Sequence, residues 1–282
     1  MQTAIVLGTF DGLHKGHRAV IALARGYYTV AVTFDTPPKA FLGSDSKLLM
    51  MPCDKAAGLK SLGVSEIDTL DFGKVANLSP EVFFDEIVKK FSPKLIACGF
   101  NYRFGKNAAG DTETLKGLCL KSGIEFKQAE SVGGEEPVSS SSIRALIANG
   151  NIDSANRQIY GGFGFTAPVI HGDARGKKLG FPTVNQVFPG ELVTPKFGVY
   201  GSRMIIDGKE YKSITNLGVR PTYVTDFIGC ETFIKDFSGE IYGRAAVLKL
   251  DRFVRSEKKF ACAAELERTV RADIKSVLGI DI

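Results

Sequence analysis

Thr3-Ala4-Ile5-Val6-Leu7-Gly8-Thr9-Phe10-Asp11-Gly12-Leu13-His14-Lys15-Gly16-His17 decides how the first half of this 282-residue chain folds. Thr3 to Leu7 is an apolar, partly β-branched run of strand length. Gly8 and Gly12 mark a tight turn, and Ala19-Val20-Ile21-Ala22-Leu23-Ala24 beyond it predicts a helix. A strand, a glycine turn and a helix N-terminus make an anion site, because unpaired backbone N–H groups and the positive end of the helix dipole face one point. Two of the three histidines, His14 and His17, stand there with Gly16 between them. Each can donate a hydrogen bond to a phosphate oxygen. Gly8, Thr9, Phe10 and Asp11 are therefore candidates to line a nucleotide, with His14 and His17 stabilising its phosphates.

Outward from that stretch, strand-like and helix-like segments alternate. Tyr28 to Phe34, Glu66 to Phe72 and Lys94 to Gly99 predict further strands. Ser79-Pro80-Glu81 opens a helix, with Ser79 as N-cap, Pro80 at the first helical position and Val82, Phe83, Ile87, Val88 and Phe91 at helical spacing. Asp111 to Lys121 repeats the pattern and Gly123 stops it. This alternation predicts βαβ units and a parallel sheet, whose ligands bind beyond the C-terminal strand ends. Two more elements fall at such ends. Asn101 lies in Gly99-Phe100-Asn101-Tyr102-Arg103-Phe104-Gly105. Ser140, Ser141 and Arg144 precede or open the helix-like Ala145-Leu146-Ile147, offering hydroxyls, free amides and a planar cation to phosphate.

The pattern changes after Asn149-Gly150-Asn151. Short β-type runs follow at Thr166 to Ile170, Val199 to Ile206, Tyr211 to Thr215, Thr232 to Ile234 and Ala245 to Leu250. Asp207-Gly208 and Ser238-Gly239 separate some of them as turns. This predicts a small antiparallel barrel or sandwich. A closing helix carries Phe260, Ala263, Leu266, Val270, Ile274 and Val277 on one stripe and ends at Gly279. The fold class expected is α/β: an N-terminal Rossmann-like domain over residues 1–152, then the barrel with its helix over residues 153–282, joined by a short linker near residues 148–160.

His171 to Asn185 is the dense stretch of the second half. Gly172, Gly176 and Gly180 permit close backbone approach to a ligand. The Gly-Lys-Ser/Thr ending of a Walker loop is missing. Thr183 and Asn185 alternate along an extended segment and so point to one side, where hydroxyl and amide oxygens suit Mg²⁺.

These motifs resemble the bacterial bifunctional riboflavin kinase/FAD synthetase family. The histidine, asparagine and serine-arginine elements resemble its adenylyltransferase half over residues 1–150. Gly180-Phe181-Pro182-Thr183-Val184-Asn185 resembles its kinase signature, and the match runs on through Phe197 to Tyr200, Asn216 to Thr222, Glu231-Thr232 and Arg255 to Phe260. The resemblance implies ATP-dependent phosphorylation of riboflavin to FMN and adenylylation of FMN to FAD. It implies Glu231 as general base, Thr183 and Asn185 on Mg²⁺-ATP, and Gly172, Gly176, Lys178 and Gly180 in the nucleotide loop. His14, His17 and Arg144 would act in adenylyl transfer, with Asn101, Ser140 and Ser141 on the nucleotide. The chain departs from the family at Phe34-Asp35-Thr36-Pro37-Pro38, which lacks a histidine, at Ser142, and within Asn107 to Asp111. A kinase whose first half is weak or inactive therefore stays open here, as does a non-catalytic flavin-nucleotide-binding regulator.

Bulk properties bound the partners. Net charge is +5, pI about 8.8, and hydrophobic residues make up 44%. The basic residues form no block, so no nucleic-acid partner is expected. No apolar run approaches membrane length and the N-terminus has no signal-peptide pattern, so a cytoplasmic protein without membrane attachment is expected, monomeric or weakly self-associating. Five widely spaced cysteines without a CxxC indicate neither zinc nor disulfides.

Overall fold

A computed structural model describes residues 1–41, 46–132, 138–172, 176, 179–220 and 227–281. By internal contacts it divides into two compact units, residues 1–142 with 158–160, and residues 143–157 with 161–282.

The first unit is built on a parallel sheet. Its strands are β1 (Thr3–Leu7), β2 (Tyr28–Phe34), β3 (Glu66–Leu70), β4 (Leu95–Gly99) and β5 (Glu125–Ala129), in the order β3-β2-β1-β4-β5. Every pairing is parallel. Helices alternate with them: α1 (Lys15–Ala22), α2 (Pro38–Phe41), α3 (Pro52–Ser61), α4 (Phe72–Val75), α5 (Pro80–Phe91) and α6 (Thr112–Lys121). The central strand β1 is buried on both faces, which is why it reads as a continuous apolar run. Ile5 and Leu7 join Val30, Ile96, Phe83, Phe84 and Leu115 in one core under α5 and α6. Ser79 caps α5 by accepting from the Val82 amide at 3.3 Å, and Asp111 caps α6 by accepting from the Thr114 amide at 2.9 Å.

Boundaries differ from the sequence expectation where caps intervene. The first helix starts at Lys15 rather than Ala19, which puts His17 inside it. The third strand stops at Leu70, because the Asp71 carboxylate accepts from the Gly73 amide at 3.0 Å and starts α4. Helix α3 and strand β5 have no counterpart among the expected elements. The expected linker near residues 148–160 holds the last residue of α7 (Ser140–Ala148) and the short helix α8 (Ile152–Asn156), with turns between and after them.

The second unit is an antiparallel sheet of six strands, β6 (Gly164–Pro168), β7 (Thr183–Val187), β8 (Gly198–Ile206), β9 (Lys209–Arg220), β10 (Phe227–Ile234) and β11 (Ala245–Ser256), ordered β6-β11-β8-β9-β10-β7. Asp207 and Gly208, both at positive φ, form the two-residue turn between β8 and β9. The sheet curls until its two edges meet. The Gln186 amide on β7 donates to Ala167 O of β6 at 2.8 Å and to Ala246 O of β11 at 2.9 Å. The Ile170 amide donates to Asn185 O at 2.8 Å. Helix α9 (Ala263–Leu278) lies on the outer face, where Ile274 and Leu278 pack with Phe181, Val199 and Ile214, and Gly279 ends it in the left-handed region.

Candidate functional sites

In the first unit the strand order reverses between β1 and β4, the switch point at which open parallel sheets bind ligands. The Gly8–His17 turn follows β1 there and Asn101 follows β4. The turn is tightly determined. Phe10 and Leu13 hold positive φ values of 51° and 42° although neither is glycine, and both are fully buried, so core packing sustains a strained backbone. Gly12 has φ 81°, and a Cβ there would lie 2.9 Å from Leu49. Asp11 is buried; its carboxylate accepts from the Leu49 amide at 2.9 Å, and its carbonyl accepts from Ser140 Oγ at 3.2 Å. Gly8 donates to Val32 O, and Thr9 O accepts from Thr33 Oγ1 at 2.9 Å.

His14 and His17 stack, with ring centroids 3.7 Å apart, and Phe10 meets His17 edge-on at 5.3 Å. Gly16 makes the stack possible, since a Cβ there would lie 3.2 Å from the His14 ring. Burial, assisted by Arg18, lowers the His14 pKa to about 4. Burial, then His14 and Lys55, hold His17 well below its ordinary value. Both imidazoles are neutral at neutral pH, so each offers one N–H, and the Nδ1 atoms of both are buried without a partner among the described residues. Ser140 and Ser141 open α7, and Arg144 stands one turn beyond Ser140 on that helix. Asn101 is exposed at the β4 end.

Sequence reasoning missed Lys55. It is 5% exposed on α3, donates to the Phe34 carbonyl at the end of β2, and has Asp35 and Asp11 as its carboxylate neighbours. Burial lowers its pKa. Pro52 and Asp54 do signal a helix start, but a lysine in that segment reads as a solvated charge.

In the second unit, register assembles the site. Glu231 on β10 pairs with Asn185 on β7 and with Asn216 on β9, and Phe233 pairs with Thr183. Directly paired residues project to the same face, so Thr183, Asn185, Asn216 and Glu231 share the outer surface beside α9. The glycine loop folds onto that surface. A Cβ on Gly172 would lie 2.2 Å from the Asn185 amide, and one on Gly176 would lie 2.5 Å from Phe181 O and 3.3 Å from Thr183 Oγ1. Gly180 holds φ 86°. Lys178 lies outside the described residues. A cleft of about 650 Å³ opens beside Thr183, walled by Phe233, Asp236, Phe237, Ser238 and Tyr242. His171 stacks on Tyr242 at that cleft, with centroids 3.8 Å apart. Neither that wall nor Asn216 was expected to contribute. Arg220 was also unexpected: its Nη2 lies 2.6 Å from Glu231 Oε2.

Comparison with known proteins matches both halves. The FAD synthetase family model covers residues 1–143 and the riboflavin kinase family model residues 162–280. The bifunctional riboflavin kinase/FMN adenylyltransferase of Bacillus subtilis (strain 168) is 31% identical over 286 residues, 96% of this chain and 90% of that protein. The chain belongs to the bifunctional riboflavin kinase/FMN adenylyltransferase family. A second family member, from Listeria monocytogenes, is 32% identical over 270 residues, 91% of this chain and 85% of that protein. A solved structure from Streptococcus pneumoniae, described as a macrolide-efflux protein, shares the fold with a TM-score of 0.89 at 28% identity, covering 99% of this chain and 95% of that one. No helix among the described residues is long and apolar enough to cross a membrane.

Proposed function

We propose that this chain phosphorylates riboflavin to FMN with ATP in its second half, and adenylylates FMN to FAD, releasing pyrophosphate, in its first. Residues 1–152 carry the adenylyl transfer and residues 153–282 the kinase. Two family models on one chain support two activities rather than a kinase with an idle partner or a non-catalytic binder. The observation that carries the kinase assignment is the cross-strand row Asn185–Glu231–Asn216 under the glycine loop.

In the kinase, Glu231 takes the proton of the ribityl 5′-hydroxyl as that oxygen bonds to the γ-phosphorus. Thr183 and Asn185 fit a hard cation: two neutral oxygen donors on one face, with Gly172 packed against the Asn185 amide where any side chain would collide. They would hold Mg²⁺, which when bound neutralises charge on the ATP phosphates. In the adenylyltransferase, the FMN phosphate attacks the α-phosphorus of ATP and pyrophosphate leaves. Neutral His14 and His17 donate hydrogen bonds to the phosphates at the N-terminus of α1, and Ser140, Ser141, Asn101 and Arg144 have roles in holding the nucleotide. Such a step needs alignment and charge stabilisation more than an acid-base pair. The flavins and ATP are its partners; nucleic acid and membrane are not.

Separate substitutions test the assignment. His17→Ala should abolish FAD formation from FMN and leave FMN formation from riboflavin near the wild-type rate. Glu231→Gln should do the reverse when FMN is supplied. If either variant stopped both reactions equally, in a protein that remains folded, the division of labour would be wrong.

A further inference from the structure

We propose that Arg220 is an anion-binding residue of the kinase site: it fixes Glu231 and holds an oxygen of the phosphoryl group in transfer. The inference rests on the kinase reading of Glu231. Arg220 ends β9, on the face shared by Asn216 and Gly218. Its stem crosses the neighbouring strand over Gly229, where a Cβ would lie 2.7 Å from Arg220 Cγ. Gly229 pairs with Gly218, where a Cβ would lie 1.9 Å from Glu257 Oε1, so the Arg220 stem and the Glu257 carboxylate lie side by side over a glycine pair.

The contact with Glu231 is close yet unlike the structural arginine pairs of the same unit. Arg255 grips Asp273 as a fork, with Nε and Nη2 donating to Oδ2 at 2.9 and 2.7 Å. Arg203 Nε donates to both oxygens of Asp251 at 3.0 Å. Arg220 Nη2 meets Glu231 Oε2 at 2.6 Å as a single ion-pair contact, and its Nε is buried with no hydrogen-bond acceptor among the described residues. A buried guanidinium donor without an acceptor is costly unless a ligand supplies one. Next to the base that takes the hydroxyl proton, the chemistry that supplies it is a phosphoryl oxygen.

The acceptor hydroxyl oxygen bonds to the γ-phosphorus, and the bond from that phosphorus to the bridging oxygen breaks with its electron pair leaving on ADP. The hydroxyl proton passes to Glu231, and Arg220 stays protonated throughout, hydrogen-bonded to a non-bridging oxygen.

The test uses the full chain with riboflavin, ATP and Mg²⁺. Arg220→Gln should lower kcat for FMN formation by ~100-fold or more, the usual effect of deleting one preorganised donor, with a smaller change in the riboflavin KM. Arg220→Lys, which keeps charge but loses the fork, should recover only part of it. Arg220→Ala should regain activity with added guanidinium chloride and not with sodium chloride. FAD formation from supplied FMN and the melting temperature report folding. A wild-type kcat in Arg220→Gln overturns the inference, and so does a loss that guanidinium does not rescue and that tracks a lowered melting temperature. If Glu231→Gln is inactive while Arg220→Gln is fully active, this inference alone fails; if Glu231→Gln is itself active, the kinase reading beneath it fails.

Discussion

Neutral imidazoles, not imidazolium ions, stand at the start of α1. Burial disfavours the charged form of both histidines, with Arg18 adding to it at His14, and His14 and Lys55 adding to it at His17. For His14 the native pKa is about 4 against an ordinary 6.5. The unfolded chain therefore binds the proton more readily, and the stability that neutral His14 contributes is present above pH 6.5 and lost as pH falls towards 4. The full effect is about 3 kcal/mol. His14→Gln should flatten the fall in unfolding midpoint between pH 6.5 and 4; slopes identical to wild type would exclude His14 as the source. Lys55 acts at the same scale. Removing its ammonium orphans the Phe34 carbonyl and leaves Asp11 and Asp35 without their buried cation. Lys55→Met should therefore destabilise the first unit by roughly 1–3 kcal/mol and slow FAD formation, while FMN formation in the second unit persists. Unchanged stability and FAD synthesis together would contradict that role.

At the scale of elements, one side chain reinforces the seam where the sheet edges meet. The Gln186 amide satisfies two carbonyls across the seam between β7 and its neighbours β6 and β11. Gln186→Leu should lower stability by about 1–3 kcal/mol per carbonyl left dry, read as a shift in urea midpoint, and loosen Thr183 and Asn185 on the same strand; an unshifted midpoint would mean that the seam does not need the amide. The elements themselves were legible where local chemistry is self-contained. Tyr28–Phe34 matches its strand residue for residue, and the Ser79 and Asp111 caps fall where their side chains predict. What the sequence hides is non-local. Cys53 to Leu59 is too weakly amphipathic to announce the helix that buries Lys55. Tyr211 to Thr215 is only the middle of β9, because the β9 ends are held by cross-strand pairing rather than by their own propensity. Thr183 and Asn185 were visible as a pair, since a strand has period two. The partnership of Glu231 with Asn185 and Asn216 was not, because register arises only when β10 docks between β7 and β9. Nor does any spacing say that Arg220 crosses Gly229.

At the scale of the whole molecule, two candidate sites of different construction share one chain. The first lies at the switch point of a parallel sheet and relies on a strained turn and a helix N-terminus. The second lies on the outer face of a closed antiparallel sheet and relies on register. The three departures in the first half, at Thr36-Pro37, Ser142 and Asn107 to Gly110, leave the Gly8–His17 turn and its bond to Ser140 in place. The central claim is that both sites turn over, in sequence, on a flavin. The most direct measurement incubates the purified full chain with riboflavin, ATP and Mg²⁺ and resolves flavins over time. The account predicts that FMN rises first and FAD follows at its expense; FMN without FAD, or neither product, would contradict it.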